Sequence, residues 1–156
     1  MSPQTEAAKR TTIIVRDLQK SVAFYRDILG WSVFYEGFVD GDGVSQLMGV
    51  PCKGVKMVVL NSAGSQYGNV GLMEVTDAAP PLENLPPPHR IRYGEAALVL
   101  PTQNIDETYK KVVAAGCVII NPPARIGVPG RPQAVLEMFC RDPDGVLINL
   151  TQRVAS

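Results

Sequence analysis

The chain is poor in the residues that soft metal chelation, membrane insertion and nucleic-acid binding each require. It has one histidine, His89, and three cysteines, Cys52, Cys117 and Cys140. An odd number of cysteines without CxxC spacing indicates neither a disulfide framework nor a zinc site, so the thiols read as reduced and structural. Acidic and basic residues balance at 15 each, with no run of either sign. Binding a phosphate backbone needs a clustered positive excess, which excludes nucleic acid as an expected partner. No apolar run approaches the roughly 20 residues of a membrane span. The N-terminal MSPQTEAAKR is polar, without the hydrophobic stretch of a signal peptide. A cytoplasmic protein with no membrane partner is the expectation.

What is present is a repeated supersecondary unit. From Arg10 to Glu36 the chain reads strand, helix, strand. Ile13, Ile14 and Val15 form a short β-branched run, and Asp17 is placed to cap a helix. Leu18, Val22, Tyr25, Ile28 and Leu29 then fall at helical spacing, and Gly30 ends the pattern. Trp31, Val33 and Tyr35 alternate with Ser32, Phe34 and Glu36 as a second strand. Gly37 to Gly43 reads as turn, SQLMGVP as a short turn or helical piece, and Gly54–Leu60 and Asn69–Val75 as further strands.

A proline-rich linker, AAPPLENLPPPHR, interrupts the pattern with five prolines. The order then returns: Glu95–Leu100 as a strand, Asn104 as a cap with Glu107 in capping-box position, and Ile105, Tyr109, Val112 and Val113 on one helical face. Gly116 closes that helix. Cys117–Ile120, Ala134–Cys140 and VLINLTQ after the Asp142–Gly145 turn read as strands. Asn104 follows Asp17 by 87 residues, and the two closing glycines agree within one position of that offset. The fold class is therefore α+β: two βαβββ modules in a pseudo-twofold repeat, with mixed curved sheets around an open cavity. The expected divisions are a flexible tail at 1–8, a first module at 9–78, the linker at 79–92 and a second module at 93–153.

Three phrases, VRDLQKSVAFYRDILGW, NIDETYKKVVAAG and FCRDPDGVLINL, resemble the vicinal oxygen chelate superfamily, which includes glyoxalase I, bleomycin-resistance proteins and extradiol dioxygenases. The resemblance implies four metal ligands on cavity-lining strands. It carries them to Arg10, seven residues before Asp17, to Glu74 near the end of the fourth strand, to Ala97, and to Asn149 of the DPDGxxxxL phrase. Of these Glu74 alone is an ordinary ligand; a guanidinium repels a divalent ion and alanine has no donor. The standard metal site, and with it any cofactor, is expected to be absent. The one route to a metal is a bulge that brings in Glu95, giving an oxygen-only set with Glu74 and Asn149 for a hard ion.

In place of the metal set, Arg10, Glu74 and Asn149 would surround one volume with a cation, an acid and an amide. Arg10 would pair with Glu74 in the empty pocket and present its fork to a ligand carboxylate. Glu74 would be the general base if burial raised its pKa, and Asn149 would donate to an oxyanion. The plainer alternative is a salt bridge filling the space of a lost metal. Phe34 is a pocket candidate, because strand parity opposes it to Trp31, Val33 and Tyr35. The expected function is binding of a small carbonyl- or carboxylate-bearing molecule; the alternatives are a metal-dependent lyase or isomerase of glyoxalase type and a sequestering protein. The resemblance also implies a homodimer.

Overall fold

The computed structural model describes Thr5, residues 7–127 and residues 134–154. Residues 1–4 and 6 of the expected N-terminal tail lie outside the described residues. Two compact units meet in sequence between Asn84 and Leu85, and each is built on its own sheet.

The first unit contains β1 (Arg10–Ile14), α1 (Leu18–Ala23), β2 (Ser32–Asp40), α2 (Asp42–Met48), β3 (Gly54–Asn61) and β4 (Asn69–Thr76). Helix α1 widens into a π-type turn over Phe24–Ile28. The second contains β5 (Ala97–Pro101), α3 (Ile105–Ala114), β6 (Ile119–Gly127), β7 (Ala134–Arg141) and β8 (Leu147–Val154). The strand orders correspond: β1-β4-β3-β2 and β5-β8-β7-β6. In each sheet the first strand runs parallel to the last and the other pairs are antiparallel. The fold is α+β, two βαβββ modules, with α2 an addition to the first. Among the described residues no helix is long and apolar enough to cross a membrane.

The helix starts follow directly from the sequence. Asp17 is extended and its Oδ1 accepts from Lys20 N–H at 3.0 Å; Asn104 does the same for Glu107 N–H at 3.0 Å. Each cap satisfies one of the four amide groups that a helix start leaves without an internal partner. At the other ends, Gly30 (φ +78°) and Gly116 (φ +70°) take the left-handed conformation that a side chain would strain. The face of each sheet that carries the helix is the core. In the first unit Ile13, Val58, Leu60, Val70 and Leu72 close over Leu18, Val22, Phe24 and Tyr25, all at most 6% exposed. Tyr25 packs edge-on to Phe24 and Trp31. Each such side chain removed from water contributes about 1.5–3 kcal/mol. In the second unit Met138, Cys140, Ile148 and Leu150 pack with Ile105 and Val112. Val113, expected on that helical face, is 47% exposed.

Two strands run further than the sequence pattern implies. β2 continues through Gly37, read as the start of a turn, because Gly37 leaves room for the Tyr35 ring and the next residues pair on to Asp40–Gly54. β6 continues through Pro122 and Pro123, since it is the sheet's edge strand and its register shifts between Asn121 and Ala124. An edge strand tolerates a missing N–H there.

The second unit also buries a cation. Arg141 is 1% exposed. It donates through Nε to Pro88 O (2.7 Å), Nη1 to Gly145 O (2.8 Å) and Nη2 to Arg90 O (2.8 Å), and pairs with Glu95 at 2.9 Å. The guanidinium thus ties the end of the proline-rich segment to β7. Arg141→Met leaves those acceptors without a donor and should destabilise the fold by about 3 kcal/mol. Chemical denaturation checks this as a lowered midpoint at unchanged slope, whereas an unmoved midpoint would mean that the segment is held by other contacts.

Candidate ligand-binding site

The face of the first sheet away from α1 has two parts. At the end of the sheet where β3 begins, helix α2 covers it: Val44, Val55 and Met73 are buried, with Met48, Cys52, Met57 and Val75 packed against them. The remainder lines an open cavity of about 1230 Å³. Its charged lining residues are Lys9 and Arg10; its polar ones include Thr12, Asn61 and Asn69; its apolar wall is Val33, Phe34, Tyr35, Met57 and Val59. Among the described residues the lining contains no carboxylate, imidazole or thiolate.

Arg10 sits at the start of β1, opposite Asn69 on β4. Its side chain lies along the sheet over Gly71, where an added Cβ would come within 2.8 Å of Arg10 Cδ and 3.2 Å of Thr12 Oγ1. Arg10 Nε donates to Thr12 Oγ1 at 3.0 Å. Among the described residues no carboxylate pairs with it. Asn61 Nδ2 donates to Asn69 Oδ1 at 2.7 Å and to Ser65 O, while Asn69 Nδ2 donates to Gln66 O at 3.3 Å. The two amides therefore hold the 62–68 loop as one wall.

The expected pair of Arg10 with Glu74 does not form. On β4, residues 69, 71 and 73 share the face of Arg10, and residues 70, 72 and 74 share the opposite one. Glu74 Oε2 accepts from Leu18 N–H, the first amide of α1, at 2.8 Å, and Oε1 accepts from Lys56 Nζ at 2.7 Å. Both bonds hold its carboxyl below the usual glutamate range, the Lys56 contribution being the larger. A carboxylate so placed is ionised and engaged, the reverse of the raised pKa that a general base near neutrality needs.

Glu95 and Asn149 belong to the second unit. Glu95 is held by Arg141, which lowers its pKa, and its Oε2 accepts from Arg92 N–H at 2.8 Å. Asn149 is 6% exposed on the helix-free face of β8, with long contacts from Nδ2 to Met138 O (3.4 Å) and Glu137 Oε2 (3.5 Å). Phe34 does line the cavity and is 73% exposed. The parity expected for it is broken: β2 shifts register between Val33 and Tyr35, so Phe34 is the extra residue of a bulge and all three line the pocket. Thr12, Tyr35, Asn61, Asn69 and Gly71 were not singled out from sequence. For Asn69 and Gly71 the parallel ladder that starts at Arg10–Asn69 is what places them, because it sets which alternate residues of NVGLMEV face Arg10. Cys52, Cys117 and Cys140 are not in disulfides, and burial pushes Cys140 up to about 12.

Residues 7–150 match the family model described as Glyoxalase/Bleomycin resistance protein/Dioxygenase superfamily. The chain belongs to this superfamily. No curated protein matches the chain in sequence. Among solved structures, it is similar to a glyoxalase family protein from Bacillus cereus, at 16% identity and TM-score 0.76 over 99% of both chains. It is also similar to a trypanothione-dependent glyoxalase I from Leishmania major, at 17% identity and TM-score 0.60 over 95% of this chain and 87% of that one. A third is the fosfomycin resistance protein of Listeria monocytogenes, as a point mutant complexed with Mn(II) and a dihydroxypropylphosphonic acid, at 19% identity and TM-score 0.56 over 94% and 92%. At these identities the likeness establishes the fold of this superfamily member and not its chemistry.

The repeat within the superfamily fold clarifies Glu74. Arg10 and Ala97 open the first strands, opposite Asn69 and Leu147. Five residues on from those partners stand Glu74 and Gln152, and Gln152 Oε1 accepts from Ile105 N–H, the first amide of α3, at 2.7 Å. Glu74 and Gln152 do the same job in their modules. Glu74→Gln should keep the amide acceptor, lose the ion pair with the half-exposed Lys56, and destabilise by no more than about 1 kcal/mol at neutral pH. Because the folded-state pKa is lowered, the ionic part of that stability is full above the unfolded value and is lost as pH falls through the folded one. Wild type minus Glu74→Gln stability should therefore be level near neutrality and shrink below the ordinary value of 4.5; a difference that grows on acidification would contradict the assignment.

Proposed function

We propose that this protein binds a small organic molecule bearing a carboxylate, or a carbonyl polarised like one, in the cavity of its first module, with Arg10 as the recognising cation. The observation that carries the reading is an arginine seated over a glycine on a cavity face, its terminal nitrogens turned to no carboxylate of the described residues. A guanidinium presents parallel N–H donors that match a carboxylate in two-point contact. The apolar wall lowers the local dielectric and strengthens that contact.

We further infer that the cavity works without the divalent ion that its superfamily resemblance implies. Its donors are hydroxyls and amides beside a permanent cation, which suits an anion and repels a metal. Among the described residues no three His, Cys, Asp or Glu side chains cluster as ligands. On this reading Glu74 is a structural acceptor rather than a base, and the activity is recognition of the ligand.

Phenylacetate serves as a probe for calorimetric titration. Losing a charge-assisted contact of about 1.5–3 kcal/mol corresponds to a tenfold to hundredfold weaker affinity for Arg10→Ala. Gly71→Ala should weaken binding in the same direction, because the new methyl displaces Arg10, while Glu74→Gln should bind as wild type. Equal affinity for wild type and Arg10→Ala would refute the proposal.

A further inference from the structure

The cavity face is graded in polarity, and we propose that it selects an amphipathic organic anion, charged group at Arg10 and apolar body lying over Val59 and Met57 toward the aromatic rings of β2. This rests on the reading of the cavity as an anion pocket and adds what the rest of the ligand must be.

The gradient is visible row by row across the strands. The outermost row is polar: Arg10 opposite Asn69, Asn69 bonded to Asn61, and Asn61 opposite Ser32. The next contains Thr12, Gly71, Val59 and Tyr35 in register. The third contains Ile14, Met73, Met57 and Gly37. At this row α2 begins to seal the face, burying Met73 with Val44 and packing Met48 on the same cluster, while Met57 also lines the cavity. A charged group placed on the third row would find no donor and would lose its hydration uncompensated. The anion is therefore confined to the outer row.

The second row fixes where the body goes. Gly71 is covered by the Arg10 side chain and Val59 is a floor only 5% exposed, so Thr12 and Tyr35 stand out from that row and the body lies over Val59 toward Tyr35. Tyr35 leans over Gly37, where an added Cβ would clash with its ring, and so lies along the face instead of standing across it. Beside it the bulge leaves Val33, Phe34 and Tyr35 exposed at 43%, 73% and 44%. From β1 to β2 is three strand spacings, about 14 Å. A two-carbon acid at Arg10 cannot reach that wall, whereas an anion with a body of several carbons covers both.

The test is a titration series of straight-chain alkanoates from acetate to octanoate, with the matching primary amides, on wild type, Arg10→Ala and Tyr35→Ser. Affinity should rise about two- to fourfold per methylene and then level off as the body reaches β2. The amides should bind about tenfold more weakly. Tyr35→Ser should lower the plateau and leave acetate unchanged; Phe34→Ser, at the bulge, replaces it if thermal unfolding shows the first variant to be misfolded. Affinity that depends on Arg10 but is flat in chain length would overturn the amphipathic selection and leave the anion pocket standing. Length-dependent affinity that ignores Arg10→Ala would overturn the anion pocket itself.

Discussion

The first amide of a helix has no partner within the helix, and both modules satisfy it from the last strand of the sheet. Glu74 accepts from Leu18 N–H and Gln152 from Ile105 N–H. Together with the Asp17 and Asn104 caps, these bonds seat the helix start against the β1–β4 and β5–β8 pairs. Much else depends on that seating. It decides which alternate residues of β4 become core, and therefore which face carries Arg10, Asn69 and Gly71 into the open. A one-residue slip of β4 would exchange the two faces, putting Val70 and Leu72 where the cavity now has an amide and a glycine and Glu74 in the place of Met73.

Separation of charge follows from that constraint. Glu74, the acid of β4, is engaged by the helix start and by Lys56. The acid at the start of the second module is held by the buried Arg141. What remains on the cavity face of the first sheet is a cation with hydroxyl and amide neighbours over an apolar floor. The fold of the superfamily is kept while the donors on this face are of a kind that holds an anion.

The modules were legible in the sequence because their signals are local. Asp17 and Asn104, the closing glycines and the 3.6-residue spacing of Leu18, Val22 and Tyr25 act within a turn or two, and each does in the structure what its residue type implies. Arg10 was reached through the superfamily resemblance, by its place seven residues before Asp17, and Phe34 through a strand parity that the bulge breaks, so that it lines the cavity beside Val33 and Tyr35 instead of opposite them. The company they keep was not legible. Whether Glu74 or Asn69 faces Arg10 depends on the register of a parallel pair whose strands lie some 60 residues apart in sequence, which no local pattern encodes. The bulge that aligns Val33, Phe34 and Tyr35 likewise breaks the two-residue alternation on which a strand reading relies. Gly37 read as the start of a turn and Gly71 as an ordinary part of a strand, and their use is apparent only once Tyr35 and Arg10 are seen lying across them.

The central claim is that Arg10 meets the ligand while Glu74, on the other face, does not. Side-chain NMR tests it most directly, following the Arg10 Nε–H and the Glu74 carboxyl carbon through a titration with phenylacetate. The Arg10 signal should shift saturably with the Glu74 carboxyl unmoved. A shift confined to Glu74, with Arg10 silent, would contradict the claim.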